Sequence, residues 1–224
     1  MRISVIIPAL NEAKHIASAV TSAKQAGVWE IFVADGGSKD DTVVAGMGAG
    51  AKIVECPPGR AVQQNAAAQH ATGEVLLFLH ADSRLPTNAV KNITSALSQP
   101  ANVAGAFHQQ IEAPGWIYRC IELGNAWRVR LWSLPYGDQG IFVRREIFER
   151  VGGFPQSPLL EDLLLMQQLR RIGQVALIQG PIRTSARRWQ QNGVIRQTLK
   201  NWWILAAARL GVPLERLRQI YEKT

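Results

Sequence analysis

The stretch GEVLLFLHADSRLP, from Gly73 to Pro86, decides the fold. Five apolar residues, Val75 to Leu79, are followed at once by His80, Ala81, Asp82 and Ser83. A run apolar at successive positions, and so on both faces, suits a central parallel strand with helices packed above and below it. It carries a lone carboxylate, Asp82, to the strand's C-terminal edge. Upstream, ISVIIP reads as a first strand, EIFVAD as a second and AKIVEC as a third. The segments between them are amphipathic. EAKHIASAVTSAKQAG is expected to be a helix N-capped by Asn11 and ended by Gly27; Asp40 or Asp41 starts the next; RAVQQNAAAQHA stops near Gly73. This is the alternation of βαβ units, so the expected fold is α/β, with right-handed crossovers and a mostly parallel sheet flanked by helices.

In such sheets ligands sit outside the carboxyl ends of the strands. Asn11 and Glu12 follow the first strand, Asp35, Gly36, Gly37 and Ser38 the second, Gly59 and Arg60 the third, and Asp82 the fourth. All are therefore expected on one rim. Beyond Pro86 come a helix near 87–98, a strand VAGAFH, the helically spaced GWIYRCIELGNAWRVRLW, and QGIFVRREIFERVGGF, a strand turning into a short helix closed by Gly152 and Gly153. LLEDLLLMQQLRRIG reads as a helix and VALIQG as a strand, and the last forty residues as two helices split around Gly211 and Pro213. With no repeat or linker, residues 1–224 read as one domain. Its expected parts are residues 1–100, residues 101–185 and a helical tail (186–224).

Composition narrows the partners. The net charge of +8 is uneven: residues 1–118 hold 8 Lys and Arg against 9 Asp and Glu, and residues 119–224 hold 17 against 8. Arginine clustered in the second half favours phosphate, anionic lipid or nucleic acid. Cys56 and Cys120 lack metal-ligand spacing and cannot form a disulfide framework, which suits reduced thiols and a cytoplasmic location. MRISVIIPALNE does not read as a signal peptide, so none is expected, and NWWILAAARLGV is too short to span a bilayer, so at most it is expected to lie on a membrane surface.

VIIPALNE, VADGGSKDDT, GRAVQQNAAAQHATGEVLLFLHADS, GDQGIFVRREIFERVGGFP and LLEDLLLMQQLRRIG together resemble, in order, the successive motifs of family 2 glycosyltransferases of the GT-A fold. The resemblance implies a nucleotide-sugar donor, usually a UDP-sugar, with Mn2+ or Mg2+ on its diphosphate, and it makes residues 1–100 the nucleotide-binding half and residues 101–185 the acceptor and catalytic half. A divalent cation there offsets the charge gathering on the leaving group. In the resemblance Asp82 is the metal-binding acid. His80 replaces the motif's first acid, so nucleotide contact, a place in the metal's shell and packing at the strand end are all open to it. Pro8, Ala9, Asn11 and Glu12 resemble the nucleoside wall; Gly36 and Ala81 fall within the donor motifs; Arg60 resembles a cation near the nucleotide. Asp35 matches the position that accepts a hydrogen bond from the base, with capping of the DGGS turn as the alternative. Asn65 is either near the nucleotide or a helix-face residue. Asp162 matches the general base for inverting attack, with Glu161 as fallback; the bland alternative is two acids complementing a helix dipole. Tyr136, Gly137, Asp138 and Gln139 resemble the acceptor-side loop.

Arg187, Arg188 and Trp189 retain the Arg-Trp pair of processive members without the matching Gln, which disfavours polymer synthesis. They are candidates for an anion clamp, the alternative being a solvated basic helix with a core tryptophan. LHADS, YGDQGIFVRR and RRWQQNGVIRQTLKNWW look like a compact bacterial subgroup linked with selenium- or arsenic-containing sugars, the selenosugar synthases among them. That likeness implies UDP-N-acetylglucosamine as donor and selenophosphate as acceptor. Two other classes compete with it. One is a peripheral membrane enzyme acting on a lipid or carotenoid acid. The other is a non-catalytic module for nucleotide or nucleic acid, which leaves Glu161 and Asp162 unexplained; no nucleic-acid partner is expected.

Overall fold

β1 (Ile3–Ala9) and β4 (Val75–Phe78) lie side by side near the centre of the sheet, and every residue of the two strands except Pro8 is buried. Along β4 the side chains alternate between two cores: Val75 and Leu77 join one, Leu76 and Phe78 the other. The computed structural model describes residues 1–222. β2 (Glu30–Asp35) pairs parallel with β1, and β3 (Lys52–Glu55) parallel with β2. α1 (Ile16–Gln25), α2 (Thr42–Ala49) and α3 (Arg60–His70) are the crossovers. α1 packs Ile16, Ala19, Val20 and Ala23 on one face of the sheet, and α3 packs Ala61, Ala67 and Ala68 on the other. The βαβ expectation for the first hundred residues therefore holds.

One cap differs. α1 begins after His15, while Asn11 sits at φ 55° and its side-chain oxygen accepts the Lys39 N–H. Asn tolerates the left-handed region better than most residues, so here it serves a turn between two loops. Asp41 does precede α2, as expected, and the Asp40 carboxylate takes the Thr42 N–H.

Downstream the sheet becomes mixed, in the order β3-β2-β1-β4-β7-β6-β8-β5. β5 (Ser83–Arg84) is short; α4 (Ala89–Leu97) follows, then β6 (Asn102–Glu112), α5 (Trp116–Trp132), β7 (Ile141–Arg144), α6 (Arg145–Arg150), α7 (Glu161–Leu169) and β8 (Gln174–Ser185). β7 runs antiparallel to both β4 and β6, β8 runs parallel to β6, and β5 runs antiparallel to β8. Reversal of β7 matters for function. Its first residue, Ile141, pairs with Phe78 at the end of β4, so the turn before it arrives at the rim where Asp82 emerges. β6 and β8 point with β4, so their ends reach the same rim. Three helices end the described chain where two were expected: α8 (Arg187–Asn192), α9 (Val194–Arg209) and α10 (Leu214–Glu222), the last two divided around Gly211 and Pro213.

Gly105 on β6 lets this mixed region close. A Cβ there would stand 2.3 Å from the Phe142 ring and 2.5 Å from the Ala176 carbonyl oxygen, both on flanking strands. Gly105→Ala is expected to destabilise the fold by about 1–3 kcal/mol through overpacking, read as a lower urea midpoint with unchanged m-value.

Candidate active site

Asp82 stands four residues beyond the last residue of β4, after a tight turn in which the Ser83 N–H meets the His80 carbonyl. Its own carbonyl accepts the Ser185 N–H at 3.2 Å, so the end of β8 fixes where the acid points. The carboxylate is 3.8 Å from the Arg187 guanidinium, which also donates to Glu12 Oε1 at 2.9 Å. One arginine from the tail thus ties an acid after β1 to the acid after β4. Glu12 above all, and Asp82 after it, hold that guanidinium firmly charged.

A cavity of about 160 Å³ opens beside Asp82, and Arg60, His80, Asp138, Glu161, Asp162 and Arg188 line it. They come from five separate stretches of chain. Glu161 and Asp162 form the first turn of α7, entered through Leu160 at φ 62°. Asp162 accepts the Gly137 N–H at 2.6 Å on Oδ2 and the Leu163 N–H at 2.7 Å on Oδ1, which fixes its carboxylate against the turn before β7. An ionised carboxylate offers about four acceptor positions, so each oxygen keeps one for a further donor. Glu161 is buried, 3.9 Å from Arg60; burial, and then the neighbouring Asp162, raise its pKa against the pull of Arg60. His80 is kept neutral at ordinary pH by burial and by the Arg60 and Arg188 charges. His80 stands in the cavity wall, where a Cβ on Gly137 would lie 2.8 Å from Nε2.

Asp138 takes Gln109 Nε2 at 2.8 Å on one oxygen, while the other is buried without a hydrogen-bond partner. Burial raises its pKa, with Asp162 and Asp82 adding to the effect and Arg128 opposing it. Among the described residues no three His, Cys, Asp or Glu side chains gather as a cage for a metal ion. Asp82 with the unpartnered Asp138 oxygen nearby instead fits a hard cation that takes one or two carboxylates and fills its shell with phosphate and water oxygens.

Several expected residues lie outside this cavity. Pro8, Ala9 and Gly36 lie at the ends of β1 and β2, where the Gly36 N–H meets the Ala9 carbonyl at 3.0 Å. Asp35 is buried, and its carboxylate takes the Gly37 and Ser38 N–H groups and the Ser38 hydroxyl. These bonds cap the DGGS turn. Asn65 likewise holds structure, exchanging two hydrogen bonds with the Phe154 backbone. Ala81 is buried. Gln139, expected to face an acceptor, points inward: it is wholly buried, its oxygen receiving Arg128 and the Tyr136 N–H and its amide reaching the Phe107 carbonyl. It braces the turn because β7 enters the core immediately afterwards. Tyr136 lies under the Arg128 guanidinium, 3.3 Å from the ring centroid. Trp189 lines the cavity yet packs with Ile111 and Tyr118, so it is chiefly a core residue. Arg188 reaches the Tyr221 hydroxyl at 2.8 Å.

Two contributions were not foreseen. Gln63 on α3 donates to the carbonyls of Ala9 and Ala34, both at 2.8 Å, and accepts the Gly59 N–H, binding the ends of β1 and β2 to the start of α3. No local pattern marks it out, because Gln64 and Gln69 share the same helix. The tail supplies Gln197, Asn201 and Tyr221 to the cavity wall, for which no local pattern gives notice.

Residues 4–152 match the family model described as glycosyl transferase family 2. An undecaprenyl-phosphate 4-deoxy-4-formamido-L-arabinose transferase of Sodalis glossinidius is 26% identical over 156 residues, covering 64% of this chain and 48% of its own. The chain thus spans about half the length of that relative. Glucosyl-3-phosphoglycerate synthase of Mycobacterium tuberculosis, solved with Mn2+, UDP and glucosyl-3-phosphoglycerate, superposes with a TM-score of 0.66 at 21% identity, over 95% of this chain and 81% of its own. A mannosyltransferase of Pyrobaculum calidifontis, solved with GDP-Man and Mn2+, gives 0.69 at 22% identity, over 98% and 67%. At these identities the two structures speak for the fold. With the family model spanning most of the parallel half and the β7 turn, this chain belongs to glycosyl transferase family 2.

Proposed function

We propose that the protein moves a sugar from a UDP-sugar to a phosphate-bearing acceptor with inversion at the anomeric carbon. The observation that carries this reading is the meeting, in one cavity, of Asp82 from the end of β4 with Glu161 and Asp162 from the start of α7. Asp82 is the residue to hold Mn2+ or Mg2+ together with the donor diphosphate. A divalent ion bound there supplies the charge that offsets the diphosphate as its bond to the sugar breaks. Arg187, beside Asp82, adds a second positive charge at the same edge. Asp162, oriented by two backbone N–H groups, accepts the acceptor's proton. Glu161 sits against Arg60, which leaves Asp162 the better placed base. Arg60 and Arg188 give the cavity the charge to receive an anion.

UDP as the nucleotide and a phosphate group on the acceptor draw support from the relatives, one named for undecaprenyl phosphate and one solved with UDP and a phosphoglycerate product. UDP-N-acetylglucosamine and selenophosphate are the specific pair that the subgroup resemblance suggests. The test incubates the protein with a panel of UDP-sugars, Mn2+ or Mg2+, and selenophosphate, 3-phosphoglycerate or a polyisoprenyl phosphate, with products read by mass spectrometry. Acceptor-dependent UDP release with one glycosylated phosphate product is the expected result. No UDP release from any donor with any acceptor overturns the reading.

A further inference from the structure

Two helices outside the cavity carry exposed apolar stripes. On α5, Trp116, Cys120, Leu123, Trp127 and Leu131 recur at helical spacing on the solvent side, while Tyr118, Ala126 and Val129 pack inward. On α9, Ile195, Leu199, Trp202 and Ala206 recur at the same spacing, and Leu210, 86% exposed, continues the line beyond the helix. A groove of about 560 Å³ runs between the two helices, with Ile121 and Trp132 on one side and Leu199 and Trp202 on the other. Five of the seven tryptophans, Trp116, Trp127, Trp132, Trp202 and Trp203, are at least half exposed here. An apolar area of this extent marks an interface, since monomeric proteins rarely leave one open.

Charge selects the occupant. No Asp or Glu occurs between residues 186 and 214, and the single acid of α5, Glu122, is turned onto the Ile111 N–H and Arg119. Arg130 and Arg196 are exposed on the same two helices as the stripes. A second copy would bring like charge against like charge. Nucleic acid would match the arginines but leave the leucines and indoles in water. A bilayer with anionic headgroups satisfies both, because tryptophan favours the headgroup region and arginine the lipid phosphates.

We propose that the α5–α9 face seats the protein in the plane of an anionic lipid bilayer. No described helix is long and apolar enough to cross one. Tyr136 and Leu205 line both the groove and the catalytic cavity. If the transfer reaction proposed above is correct, on which this step rests, a phosphate-bearing acceptor with a hydrocarbon chain reaches Asp162 from the membrane along that groove.

The test uses the whole chain without donor or acceptor, sedimented with vesicles of phosphatidylcholine alone or mixed with phosphatidylglycerol. Binding to the mixed vesicles that weakens with salt, with tryptophan fluorescence quenched by brominated lipid, is the expected result. Trp127→Ser with Trp202→Ser, both at exposed positions and so compatible with folding, is expected to weaken partitioning about tenfold or more. Arg130→Gln and Arg196→Gln are each expected to weaken it about fivefold on the anionic vesicles alone. The proposal is overturned if the protein stays in the supernatant with both vesicle types. It is equally overturned if the protein sediments as a dimer that the tryptophan pair of substitutions splits, without vesicle binding. UDP release measured with a soluble acceptor and no vesicles fails or succeeds independently, which separates this proposal from the transferase reading.

Discussion

Asp82→Ala is expected to remove metal-dependent donor binding and to lower kcat/KM by about 10³-fold or more. Folding gives no alternative explanation for such a loss. The turn around Asp82 is made by backbone groups, the Ser83 N–H on the His80 carbonyl and the Ser185 N–H on the Asp82 carbonyl, and alanine keeps both. Arg187 retains Glu12 as a partner when the second acid is gone. The substitution therefore takes away a carboxylate and little else. Titration calorimetry with UDP and Mn2+ reads the result: the wild-type protein binds UDP far more tightly with the metal present, and the variant binds equally weakly with and without it. Equal metal-dependent binding by both proteins would place the cation elsewhere.

Asp162→Asn is expected to spare donor binding and to cost about 10²–10⁴-fold in kcat. The amide keeps the shape of the side chain but not its basicity. It also cannot accept from both the Gly137 and Leu163 N–H groups, because one of its two arms is now a donor. A stability loss of about 1–3 kcal/mol accompanies the change, so kcat is measured well below the unfolding transition, with circular dichroism as control. Glu161→Gln separates the two acids. It neutralises the partner of Arg60 and is expected to affect kcat less than Asp162→Asn does. Near-normal turnover by the Asp162 variant transfers the base role to Glu161.

Most of the parallel half was legible because its signals are local. Val75 to Leu79 is apolar at every position, and only a strand covered on both sides needs that; the acids and glycines after each strand then fall on one rim without further information. The antiparallel entry of β7 was not legible. Residues Ile141 to Arg144 look the same whichever way they run, and direction is decided by partners, Val75 to Phe78, more than sixty residues away. Gln139 was misjudged for a related reason, since a polar residue in a turn reads as exposed until the core beyond it is known. Asp35 shows the limit of motif reading. It ends the second strand as expected, and its hydrogen bonds go to its own loop. The helical spacing of α5 was evident, but which apolar stripe faced inward depended on β6 and β8, and the outward one became visible only once they were placed.

The two-residue ladder between β5 and β8, with Ser83 opposite Thr184 and Arg84 opposite Arg183, joins segments a hundred positions apart immediately beside Asp82. Its consequence is evolutionary. In the reaction proposed above, a change that reshapes β8 to admit a different acceptor displaces the carboxylate proposed to serve the donor, so the two substrate preferences are expected to change together.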